Sequence, residues 1–532
     1  MLVSAACGLF VTLGVLLLPL AGIQNDEALF SSPLFNTLGT SLWSRLRHFD
    51  IPLMVMSYLG SVKSLLYIPI FQLFGASVWT VRLPMILVGA VTVFVFYQLV
   101  SHLLGRRAAL AGAFLLATDP LFVMTNTFDW GPVALEHLFL VTGVWALCRF
   151  GLEYGFCTED APIWNSRRRW LVLGFLCFGL ALWNKAIFIW GLSGLTVGSL
   201  ATIWPRIRRD LTLRHAGLAA AAFLVGALPL VVYNLRARGA TVAENAHLEL
   251  SAVGSKWTQL ESALQGSGVF GYIAAEEWVE PRKEPTSAVQ KGSVWVRSQV
   301  GERRRTGFYW VLGGLLLLVP VWWRSRVAWF ALLFTATAWL AMAATHDAGG
   351  AAHHTVLLWP MPILFALAVF SRLPKPVLGL ASVALIVSNL LVFNQFYSQL
   401  IQFGAWDTWT DAVLALSDGM EERAGQTVYI TDWGMFDTLN LLHRGRLQLR
   451  IASGPLQPDQ PSAAEIEDLR RMLRDPGAIF VGHVPEREAF RGVGAHLETQ
   501  AAAIGLRREV LRTVADSNGH SVFEVARMVA AQ

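Results

Sequence analysis

At 532 residues, 54% of them apolar and 15% charged, the chain carries far less charge than the roughly 25% of an ordinary soluble domain. With 21 Trp and 31 Phe it cannot hide its apolar side chains in one water-soluble core, so the composition points to a bilayer as solvent. The net charge of +5 is what Lys and Arg at the cytoplasmic loops of a membrane protein produce, and it makes no case for nucleic-acid binding.

A membrane-crossing helix needs about 20 mostly apolar residues. Applied along the chain, that length predicts about eleven spans, at 1–23, 82–104, 108–125, 131–150, 170–184, 186–204, 215–235, 307–323, 327–345, 355–370 and 377–397. Residues 1–23 lack a basic leader and a good cleavage site, which favours a retained span over a cleaved signal peptide. The apolar stretch 51–75 is interrupted by Gly60, Lys63 and Pro69 and is read as a helix pair lying in the interface. The four cysteines, Cys7, Cys148, Cys157 and Cys177, lie in or beside apolar segments with no metal-site or disulfide spacing and are read as packing residues.

Basic residues give the spans a direction. With a cytoplasmic N-terminus, the inner loops carry Arg106-Arg107, Arg167-Arg168-Arg169, Arg206 with Arg208 and Arg209, Arg324 with Arg326, and Arg372 with Lys375. The outer face then receives Asp26-Glu27, Asp129, Lys185, the loops 24–81 and 236–306, and the stretch from His346 to His354. Only Arg303-Arg304-Arg305, at the end of the long loop, runs against the pattern, and long loops translocate largely regardless of charge. That loop is expected to hold short helices, one near 257–264, and to act as a lid. The chain thus divides into a membrane domain, 1–400, and a soluble extracytoplasmic tail, 401–532. In the tail, short β-rich runs at 427–431, 447–451, 478–481 and 522–525 alternate with helical stretches at 464–474 and 487–503, as in a small α/β domain. The tail has no phosphate-binding glycine fingerprint and no nucleophile elbow.

Chemistry-bearing residues gather on the outer side. Asp26 and Glu27 follow the first span, where a plain polar boundary would also explain them. In chain order there follow Gly75-Ala76-Ser77-Val78-Trp79-Thr80-Val81-Arg82-Leu83-Pro84, then Ala117-Thr118-Asp119-Pro120, and then Asp129 before Trp130-Gly131-Pro132. Gly179-Leu180-Ala181-Leu182-Trp183-Asn184-Lys185 closes a span, and His353-His354-Thr355 leads to Pro360-Met361-Pro362. In this order and on this side, the motifs of residues 1–400 resemble the GT-C glycosyltransferases, in the branch of the protein O-mannosyltransferases and the lipid A aminoarabinose transferase. Two places depart from that pattern: Ser61 to Leu65 stand where many relatives have Pro-Pro-Leu, and the late span lacks an Arg-Tyr.

The resemblance implies a polytopic α-helical membrane protein of the bacterial inner membrane, with its active site facing outward. It implies transfer of a sugar from a polyprenyl-phosphate donor to an extracytoplasmic lipid, glycan or protein acceptor. Such an acceptor hydroxyl needs a carboxylate base, with Asp26 as the candidate, Glu27 as its helper and Asp129 approaching from the second outer loop. The departing phosphate needs cations, and Lys63, Arg82, Lys185, His353 and His354 are the candidates. No nucleotide diphosphate leaves, so no cofactor is required; a divalent metal at His353, His354, His346 and Asp347 is a minor alternative. Plainer roles stand beside these: Lys185 as a snorkelling lysine, Arg82 as an interface residue, Asp129 as a helix cap. Glu136 and His137, within a span, are expected to face the bundle interior. A lipid-linked-sugar transporter and a non-catalytic subunit are the competing classes, though the charges sit at one face and no inverted repeat is visible.

Overall fold

The computed structural model describes residues 1–32, 42–46, 49–152, 168–423, 425–457 and 461–531. Cys157 and Arg167 lie outside them. The chain is mostly helical, with a two-stranded hairpin near its start and a five-stranded mixed sheet near its end.

Among the described residues, seven helices are long and apolar enough to cross a membrane: Leu2–Leu20, Val78–Leu104, Val133–Gly151, Ala186–Arg209, Leu213–Arg236, Arg326–Ala343 and Lys375–Phe403. Counting each of two bent pairs as one span gives nine. Arg106–Thr118 and Pro120–Thr127 meet at 58°, because Pro120 cannot continue the helical ladder. Asp119 caps the second half by accepting from the Phe122 amide at 2.9 Å. Ala352–Leu358 and Met361–Phe370 meet at 40° across Trp359-Pro360. The two other expected spans correspond to shorter apolar helices. Arg168–Asn184 has 17 residues, and Phe308–Leu317 has 10, ending at Leu318 before Val319–Trp322.

Small residues set the tightest helix contacts. A Cβ on Gly179 would lie 2.1 Å from the Phe223 carbonyl oxygen, and one on Gly226 would lie 2.6 Å from that of Leu176. Arg168–Asn184 and Leu213–Arg236 therefore touch backbone to backbone, which suits an environment where close packing replaces hydrophobic exclusion.

The expected interfacial helix pair is only half helical. β1 (Leu42–Leu46) and β2 (Phe49–Met54) pair antiparallel, and a helix, Val62–Phe74, follows. That helix buries Lys63, Ser64, Tyr67 and Phe71 and leaves Leu66, Leu73 and Phe74 exposed. Such an amphipathic division fits a helix lying in a membrane surface.

The C-terminal sheet has the order β4-β3-β5-β7-β6. β3 (Thr427–Ile430) lies parallel to β4 (Gln448–Ile451) and β5 (Ile479–His483); β7 (Ser521–Ala530) is antiparallel to β5 and to β6 (Leu506–Ala515). Val428, Ile430 and Val481 pack on one face with Leu416, Leu439 and Phe523. Tyr429 and Phe480 point to the other, against Leu469, Leu473 and Leu497. Burial on both faces is what near-continuous apolar runs in parallel strands require.

Candidate active site

Gln24 starts the helix that carries the two acids. Its side-chain oxygen accepts from the amides of Asp26 at 2.6 Å and Glu27 at 3.3 Å, and its own amide donates to Glu27 Oε2 at 3.1 Å. Asn25–Ser31 thus begins with a closed capping box and two carboxylates in its first turn, where the helix dipole favours them.

The adjacent acids have different surroundings. Glu27 is buried and held by Arg82, whose Nε and Nη2 donate to its two oxygens at 3.0 and 2.7 Å. Arg82 also donates to the Ala21 carbonyl at 2.9 Å and to the Gly22 carbonyl, and its guanidinium lies 4.6 Å from the Phe128 ring centre. Four of its five N–H donors are engaged, so it staples the start of Val78–Leu104 to the turn after the first span.

A second buried pair does the same for the next loop. Lys63 Nζ lies 2.9 Å from Asp129 Oδ2 and donates to the Asp129 carbonyl at 2.7 Å. Asp129 Oδ1 accepts from the amides of Val133 at 2.7 Å and Ala134 at 3.1 Å, capping the helix Val133–Leu147. Arg82 and Lys63, expected among the cations for a phosphate, are instead each held by a carboxylate of the chain. Asp129, expected near the reaction, caps a helix.

Asp26 and Lys185 are left. Asp26 is half-buried and forms no ion pair among the described residues. Burial pushes its carboxyl up to about 6, opposed by hydrogen bonds from Asn25 and Gln24 and by the Lys185 charge. Lys185, which follows Arg168–Asn184, is buried and donates to the Gly131 carbonyl at 2.9 Å. Burial pulls its ammonium down to about 8, against the pull of the Glu136, Asp129 and Asp26 carboxylates. Glu136 lies inside the bundle, accepting from Asn184 at 2.8 Å, and the buried His137 meets the Val356 carbonyl at 2.8 Å.

The rings of His353 and His354 lie 4.3 Å apart and tilted by 53°, with His353 edge-on to Trp130 and His354 edge-on to Trp190. The Nδ1 atoms of both are buried without a hydrogen-bond partner. His354 lines a cavity of about 230 Å³ with Tyr58, Trp190, Asn245, His346 and Asp347. Tyr58, Ile187, Trp190 and Asn245 also line a more apolar cavity of about 360 Å³, which Ala186, Leu230 and Val242 complete. Tyr58 lines both cavities, and its phenol is pushed up by burial and by the Asp26 charge.

Sequence reasoning missed Tyr58, whose neighbours give no motif, and Asp437, which donates its amide to Asn25 Oδ1 at 3.0 Å and accepts from Asn25 Nδ2 at 3.1 Å. Asn25, directly before Asp26, was the only local signal for that contact.

Comparison with known proteins bears on the fold. Residues 64–233 match the family described as dolichyl-phosphate-mannose-protein mannosyltransferase. No curated protein matches the chain. Among solved structures, ArnT from Cupriavidus metallidurans bound to undecaprenyl phosphate is 13% identical, with a TM-score of 0.56 over 98% of this chain and 97% of that one. Its apo state gives 14% and 0.54 over 97% of each chain. The Archaeoglobus fulgidus oligosaccharyltransferase in complex with zinc and sulfate gives 14% and 0.53, over 91% of this chain and 68% of that one. The chain is therefore an integral membrane protein with the fold of the GT-C glycosyltransferases, and its residues 64–233 are similar to the dolichyl-phosphate-mannose-protein mannosyltransferases.

Proposed function

We propose that the protein transfers a sugar from a polyprenyl-phosphate donor to an extracytoplasmic acceptor, with Asp26 as general base. One observation carries this reading: among the described residues, Glu27, Arg82, Lys63 and Asp129 are spent on two buried ion pairs, whereas Asp26 and Lys185 form none. In the step, the acceptor oxygen forms its bond to the anomeric carbon while its proton passes to the Asp26 carboxylate. The bond from that carbon to the phosphate oxygen breaks with its electron pair, and the configuration inverts. Lys185 stabilises the charge growing on the departing polyprenyl phosphate. The apolar cavity beside Ala186 and Tyr58 suits an isoprenoid chain. ArnT, whose fold this chain shares, is a protein bound to undecaprenyl phosphate. Comparing glycolipids and glycoproteins by mass spectrometry between the wild type and a deletion strain tests the reading; identical profiles would refute it.

Lys185→Ala is expected to weaken undecaprenyl-phosphate binding and to slow transfer by about 10²-fold. Lys185→Arg should keep part of both, since the charge persists. Titration of purified protein with undecaprenyl phosphate decides it; unchanged affinity in Lys185→Ala would leave the lysine a structural role.

The same reading includes eleven spans, with Arg168–Asn184 and the region from Phe308–Leu317 to Val319–Trp322 crossing the bilayer. The N-terminus then faces the cytoplasm and the sheet domain faces outward in the bacterial inner membrane. Reporter fusions at Gly268 and at the C-terminal end should be active only outside the cytoplasm. A cytoplasmic signal at either place would overturn this topology.

A further inference from the structure

The turn 21–25, which leads into the Asp26 helix, is gripped from two sides. From the bundle, Arg82 binds the Ala21 and Gly22 carbonyls. From the C-terminal region, the Trp409 carbonyl accepts from the Gly22 amide at 2.8 Å, and Thr438 Oγ1 donates to the Ile23 carbonyl at 3.1 Å. Asp437 and Asn25 exchange two hydrogen bonds, at 3.0 and 3.1 Å. The fit is close: a Cβ on Gly22 would lie 2.1 Å from the Thr410 carbonyl oxygen. Trp409 is fully buried, with ring centres 5.4 Å from Phe128 and 5.2 Å from Trp130. The helix Phe436–Leu442, which belongs to the sheet domain, therefore packs directly on Asn25–Ser31.

We infer that the C-terminal domain completes the active site, with Asp437 acting as a positioning residue that fixes Asp26 by way of Asn25. The inference rests on the reading of Asp26 as the base. Asn25 and Asp26 are consecutive in one helical first turn, so loosening the Asn25 side chain loosens the turn that aims the carboxylate; of its two bonds to Asp437, the one to the carboxylate depends on the Asp437 side chain and the one from the backbone N–H does not. A hydrogen bond between a neutral amide and a carboxylate also lets Asp437 serve without a cation. Its carboxyl is pushed up to about 7 by burial first, with the Asn25 hydrogen bond opposing and the Asp26 charge adding to the rise. Aim matters here because a misplacement near 1 Å can cost about 10²-fold in rate.

The test compares Asp437→Ala, Asp437→Asn and Asp26→Asn in the full-length protein. It uses hydrogen-exchange mass spectrometry of residues 22–31 and the rate at which each variant restores the glycoconjugate lost in a deletion strain. In Asp437→Ala, exchange across 22–31 should rise about 10-fold while β3 and β5 stay protected, and the rate should fall about 10-fold. Asp437→Asn should bring both to within about two-fold of the wild type, because its amide oxygen still accepts from Asn25 Nδ2. Unchanged exchange at 22–31 in Asp437→Ala overturns the inference, as does a failure of Asp437→Asn to rescue. Loss of protection in β3 and β5 together with 22–31 would reduce Asp437 to a folding residue and also overturn it. If Asp26→Asn is fully active, the reading of the base fails, and the role of Asp437 in aiming it falls too, even where the exchange result stands.

Discussion

Asp26→Asn is expected to lower sugar transfer by about 10²–10⁴-fold while leaving expression and membrane insertion unchanged. The amide keeps the shape and hydrogen bonding of the carboxyl but cannot take a proton. Glu27→Gln should cost less in rate, because Glu27 acts on the reaction only through Arg82 and the turn it holds. The pH profile is the sharper measurement. A base works deprotonated, and burial places the Asp26 carboxyl at about 6, so the rate should fall as pH drops through that value. Lys185 works protonated, and with its ammonium at about 8 the rate should fall again above it. The wild type should therefore show a bell between the two, and residual activity in Asp26→Asn should lack the acid limb. A fully active Asp26→Asn enzyme, or a profile flat between pH 5 and 7, would return Asp26 to the role of a polar boundary.

The largest effect on stability should come from Arg82→Ala. Its partner Glu27 is almost wholly enclosed, so the substitution leaves a carboxylate with neither water nor counter-ion. Breaking a buried pair by removing one partner costs about 3–5 kcal/mol. It also releases the Ala21 and Gly22 carbonyls, which no longer meet the guanidinium. Thermal unfolding in detergent, followed by size-exclusion chromatography, should show early aggregation of Arg82→Ala. Adding Glu27→Gln to Arg82→Ala should recover part of the loss, since a neutral amide is cheaper to bury than a lone charge. An Arg82→Ala protein that melts with the wild type would mean that the pair is not a structural staple.

Much of this site was legible in the sequence as a set of residue types on one face, and much less as a set of partners. Asp26-Glu27 after the first span and Lys185 after a later one were visible because apolar length marks where helices end. Which charge meets which was not. Arg82 and Glu27 are 55 positions apart and Lys63 and Asp129 are 66, and hydropathy carries no information about contacts at that range. Five outer-face cations therefore looked equivalent, although two are consumed by architecture. The alternative of Asp129 as a helix cap did rest on a local pattern, an acid a few residues ahead of an apolar helix. The turn at Asp119-Pro120 was visible as a small-residue-plus-Pro motif, but apolar residues on both sides let 108–125 read as one span across it. Residues 51–61 were read as helical since a short apolar run does not distinguish strand from helix. β6 was passed over for the opposite reason. Its Arg507, Arg508, Glu509 and Arg512 suit an edge strand paired on one side only, and they mask the alternation that marks a buried strand.

The grip of Asp437 on Asn25 joins residues 412 positions apart, and that separation is also an interval in time. At about 5–20 residues per second, a ribosome needs roughly 20–80 s to pass from one to the other. During that interval Asp26 and then Lys185 are synthesised, while the residues that close the turn around Asn25 do not yet exist. On the proposed reading, the nascent membrane domain waits with its base unaimed until the sheet domain folds down onto the turn after Leu2–Leu20.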